Sequence, residues 1–137
     1  MRKCVASAWS VFACLAILSG GLQPSTSRAQ GVSNFELSQK KAEMLSRMRA
    51  THGFKLPAWS KCAAAHVKES TVQALQIIWL LKRKDVLSHD AVSASSQDSF
   101  KQIERCGGNT KAMAVEMEAH GDAVHHALML ATLAAGR

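Results

Sequence analysis

The chain has 137 residues, 47% of them hydrophobic, and carries 17 Lys and Arg against 10 Asp and Glu, a formal net charge of +7. That length suits a single domain with one modest core. Two prolines, no tyrosine and no run of alternating β-branched residues exclude a β-rich fold and predict an all-α chain.

Arg2 and Lys3 precede a mostly apolar run from Val5 to Leu18, which Gly20, Gly21 and Pro24 break before the small residues Ser27 and Ala29. This is the pattern of a secretory signal peptide over residues 1–29, with cleavage expected after Ala29 and export to the periplasm. The apolar run is shorter than the ~20 residues that span a bilayer, so no stable membrane span is expected after processing. Cleavage would remove Arg2, Lys3, Arg28, Cys4 and Cys14, leaving an exported helical domain at 30–137 with 14 basic and 10 acidic residues. That charge is too mild to indicate nucleic acid. Two cysteines remain, and in an oxidising compartment Cys62 and Cys106 are expected to form one disulfide. Their spacing excludes a CxxC redox pair and a CxxCH haem attachment.

The first helix of the domain is predicted from Ser33-Asn34 to about Thr51, stopped by His52-Gly53, with Leu37, Met44, Leu45 and Met48 as its apolar stripe. Pro57 suits the first turn of a second, central helix, predicted from Ala58 to about Lys84. On it Val67, Ala74, Leu75, Ile78 and Leu81 share a face that Trp79 and its neighbours widen, and Lys82-Arg83-Lys84 suit its negative end. A serine-rich connection over Ser88–Ser95 leads to a short helix from Ser95 or Ser96 to Cys106, ended by Gly107-Gly108. Asn109 or Thr110 caps a last helix with the stripe Met113, Met117, His120, Val124, Leu128 and Ala131, and the tail from Ala134 to Arg137 is expected to fray. The expected architecture is a small bundle of about four helices stapled by one disulfide.

Chemistry-bearing residues gather on the last helix. His120, His125 and His126 suggest a metal site, but at 3.6 residues per turn His125 stands roughly 140° and His126 roughly 120° round the axis from His120, and no pair has the chelating i,i+4 spacing. Glu116 with His120 and Asp122 with His126 do have it and are expected to form surface ion pairs. Met113, Met117 and His120 could reach a haem, although methionines at helical spacing are more often core. His66, one turn past Cys62, reads as a buried, satisfied histidine. No catalytic arrangement, metal or cofactor is assigned, and the chain is read as a non-enzyme.

The stretches Trp59-Ser60-Lys61-Cys62, Ile78-Trp79-Leu80-Leu81, Asp90-Ala91-Val92 and Ile103-Glu104-Arg105-Cys106-Gly107-Gly108-Asn109 resemble the periplasmic acid-stress chaperones of the HdeA/HdeB type. Ala65 stands where that family usually places an aromatic, and the N-terminal helix is additional. The resemblance implies a protein folded at neutral pH that loosens in acid and keeps other proteins from aggregating. Its client-binding surface would be the apolar helix faces, with Leu75, Ile78, Trp79, Leu81, Met113 and Met117 as candidates. The alternative is a folded binding or inhibitor module, or a complex subunit, for which Trp79 would anchor a partner protein or a second copy of the chain in a homodimer.

Overall fold

A computed structural model describes residues 32–51 and 54–137; the predicted leader and the predicted helix stop at His52-Gly53 lie outside them. The described residues are all-helical, with six α-helices and a disulfide joining Cys62 to Cys106. The helices are α1 (Asn34–Ala50), α2 (Ser60–His66), α3 (Glu69–Leu75), α4 (His89–Arg105), α5 (Thr110–His120) and α6 (Ala123–Ala134). A π-helical turn, Gln76–Leu80, extends α3, and a 3₁₀ turn, Lys84–Val86, follows it.

Local chemistry accounts for the clearest boundaries. Ser33 begins α1 by accepting a 3.0 Å hydrogen bond from the Glu36 N–H, and Ser88 and Asn109 begin α4 and α5 in the same way. The predicted stripe of α1 faces inward, with Met48 buried and Leu37, Met44 and Leu45 packed on the core. At the end of α4, Gly107 takes φ +86° and its N–H and that of Gly108 return to the Glu104 and Ile103 carbonyls. Gly108 lies so close to the Ile103 side chain that a Cβ there would collide with it.

Three expectations are corrected. The second helix is not continuous: Val67 and Lys68 are extended, with ψ of 145° and 154°, and divide it into α2 and α3. The serine-rich connection is helical, so α4 starts at His89 rather than near Ser95. Ser95 and Ser99 turn their hydroxyls back to the Val92 and Ser95 carbonyls, which satisfies them inside the helix and leaves two small buried positions. The last helix is likewise two. Gly121 and Asp122 both adopt φ +60°, which ends α5 before α6 begins.

This makes α6, rather than the predicted second helix, the centre of the core. Leu128, Met129 and Leu133 are 0–2% exposed, and α6 packs against all five other helices and the π turn. The C-terminal residues do not fray. Gly136, at φ +79°, turns the chain so that the Arg137 N–H reaches the Thr132 carbonyl at 3.0 Å. The Arg137 guanidinium then donates to the Ala64 and Val67 carbonyls at 2.7 and 2.9 Å and to Glu69 at 3.2 Å.

Candidate functional site

The α2–α3 break is held from both sides by side chains remote in sequence. Arg137 satisfies carbonyls at the end of α2. At the start of α3, where Lys68 offers no side-chain cap, the Asp98 carboxylate of α4 accepts from the Lys68 N–H at 2.9 Å and the Thr71 hydroxyl at 2.7 Å. Gln102 donates to its other oxygen at 3.3 Å. Burial by itself would raise the Asp98 pKa, but the hydrogen bonds from Thr71, Lys68 and Gln102, helped by the Lys68 charge, outweigh it and hold the carboxyl below its ordinary value.

Beside α4 lies a crevice of about 150 Å³, bordered by Leu75, Ile78 and Trp79 of the α3–π segment, Val92 and Ser95 of α4, Met117 of α5, and His125 of α6. His125 is 7% exposed, and its ring meets Phe100 edge to face with centroids 5.4 Å apart. Its Nδ1 is 3.7 Å from the Asp122 carboxylate, while Nε2 is buried without a hydrogen-bond partner. Burial lowers the His125 pKa, and Asp122 offsets this only in part. The charged groups facing this crevice are Asp122 and Lys84. The imidazole is thus held neutral in a largely apolar setting, where acquiring a proton opposes the packing around it.

The three histidines singled out in the sequence do not converge. His120 is exposed at the end of α5, not part of an inward stripe. His125 faces the α4 crevice, and half-buried His126 faces Trp79 at 6.2 Å between ring centroids. Burial and then the neighbouring Lys82 charge lower the His126 pKa. Asp122 approaches His125 rather than the expected His126, and Glu116 with His120 is not among the ion pairs of the described residues. His66 is exposed rather than buried; its Nδ1 lies 2.8 Å from the Cys62 carbonyl. Of the candidate protein-binding residues, Leu75 and Met113 belong to the core at 2% and 7% exposure, so the native surface excludes them. Ile78, Trp79, Leu81 and Met117 are half-buried.

Nothing in the local sequence pattern marks Asp98 or Arg137 as an organising residue. The available signal for Asp98 was an acid sharing a helical face with Ser95, Ser99, Gln102 and Ile103, all buried. No known protein family, curated protein or solved structure matches the chain. Among the described residues, no helix is long and apolar enough to cross a membrane.

Proposed function

We propose that the protein is an exported, acid-activated chaperone: folded at neutral pH, it loosens in acid and binds unfolded proteins through the apolar faces of α3 and α6. The observation that carries this reading is His125, a nearly buried imidazole with an unpartnered nitrogen at the junction of α4, α6 and the α3–π segment. As pH falls below the ordinary histidine pKa of about 6.5, the unfolded chain takes up a proton that native His125 resists, and folding stability falls. Further acidification neutralises Asp98 and releases its hold on the start of α3. Both effects weaken the same part of the fold.

Whole-chain charge acts in the same direction. Near pH 2 the 14 basic side chains of residues 30–137 and the six histidines give about +20 with the carboxylates neutral. Repulsion of that size favours expansion, while the Cys62–Cys106 disulfide keeps α2 tethered to the end of α4. Leu75 and Met113, covered in the native state, would become available together with Trp79, and the positive charge would keep a client complex soluble. A disulfide also suits the oxidising compartment that the leader sequence implies.

The test is light scattering from an aggregating client, with the oxidised protein present at pH 3 and at pH 7 and apolar-dye binding followed in parallel. Suppression and dye binding at pH 3 alone are expected. A protein that stays compact at pH 3, or opens there without protecting the client, contradicts the proposal and favours a folded binding module.

A further inference from the structure

A second concavity, which shares Trp79 with the His125 crevice, has a different chemistry. It is a half-open groove of about 660 Å³ between α1, the segment around Phe54–Leu56, the π turn and α6. Its volume lies within the roughly 300–1,000 Å³ typical of small-molecule sites. Met44, Leu56, Trp79 and Leu130 give it an apolar floor, and Arg47, Lys55 and Lys82 stand around it. Lys40 and Glu43 also border the groove but neutralise one another at 3.2 Å. None of the ten Asp and Glu residues of the chain lies outside the described residues, and none forms an ion pair with Arg47, Lys55 or Lys82. Lys82 is held over the Trp79 ring at 5.5 Å, which fixes one of these charges directly above the apolar floor.

An apolar trough bordered by three uncompensated cations complements a molecule with one apolar tail and one anionic head. A neutral apolar ligand would leave the cations unused. A second copy of this chain would bring further positive charge, since its basic residues outnumber its acidic ones. We propose that the groove binds a free long-chain carboxylate, with its alkyl chain along Met44, Leu56 and Leu130 beside Trp79 and its carboxylate between Arg47 and Lys82. Arg47 supplies the planar fork that matches a carboxylate, and Lys82 a point charge. This goes beyond the acid-dependent reading: it concerns the folded state at neutral pH and does not require the protein to open.

The experiment is calorimetric titration of the purified protein at pH 7 with laurate below its micelle concentration, with tryptophan emission as a second readout. Dodecyltrimethylammonium provides a tail of the same length and opposite charge, and anionic phospholipid vesicles test for a membrane surface instead. Saturable binding of one laurate is expected, at least tenfold tighter than the cationic amphiphile. The paired reversal Arg47→Glu with Lys82→Glu should weaken it at least tenfold, whereas reversing Lys101 and Lys111, exposed and outside the groove, should change it less than twofold. Circular dichroism of both variants establishes that they are folded. Equal binding of the two amphiphiles, binding to vesicles alone, or equal losses in the two paired variants would each overturn the proposal.

Discussion

The imidazole of His125 and the carboxylate of Asp98 both make the fold less stable as acid is added, for opposite electrostatic reasons. His125 is native when neutral; its stability contribution begins to fall below about pH 6.5 and continues to fall until the native ring itself protonates. Asp98 is native when charged; its contribution is complete above about pH 4 and is lost as pH drops through its lowered native value. His125→Leu removes a buried nitrogen without a partner, a group whose burial costs about 1–3 kcal/mol. Chemical denaturation should therefore show its stability advantage over the natural protein widening from pH 7 to pH 5, and its acid midpoint at lower pH. Asp98→Asn should lose about 1–3 kcal/mol at pH 7, because the Lys68 N–H and Thr71 hydroxyl lose a charged acceptor. The two denaturation curves should converge in acid, once pH has dropped through the lowered native value and the natural carboxyl is also neutral.

At the scale of elements, the α2–α3 break is held by the last residue of the chain and by α4. Arg137 closes α2 while Asp98 opens α3, and the Gln76 amide donates to the Arg137 carbonyl at 3.1 Å, so the C-terminal residue is fixed by both halves of the broken helix. Arg137→Ala should destabilise the protein by about 1–3 kcal/mol, with hydrogen exchange accelerating first in α2. This break also marks where sequence reasoning ends. The start of α1, the apolar stripe of α1 and the glycine stop after α4 follow from residues within one or two turns and were legible. The interruption at Val67-Lys68 depends on partners 30 and 70 positions away, and the local pattern of Ala, Val, Leu and Ile continues through it. The same limit hid His125: helical spacing places it relative to its neighbours on α6, but only the turn at Gly121-Asp122 decides which face of α6 meets Phe100. The serines of α4 suggest a loop because their preference for turns is strong when exposed, whereas Ser95 and Ser99 are buried with their hydroxyls satisfied within the helix.

For the molecule as a whole, the disulfide ties α2 to the end of α4 and, on the proposed function, would limit how far acid opens the fold. Closing a loop across a sequence separation of 44 residues stabilises by about 4 kcal/mol in the chain-entropy model, a large share of the roughly 5–15 kcal/mol that holds a domain together. Reduction at pH 7 should accordingly lower the thermal midpoint and move the acid transition to higher pH, measurable by circular dichroism with and without a dithiol. The oxidised protein in acid would then consist of α2 and α4 still joined, with α3 and α6 released to expose their apolar faces. That picture ties one side chain to one activity. The most direct measurement is client light scattering across pH 3 to 7 with the natural protein and with His125→Leu at equal concentration. The account predicts that both suppress aggregation in acid and that suppression by His125→Leu begins at lower pH. Suppression with the same pH onset in both proteins, or in neither at any pH, would contradict it.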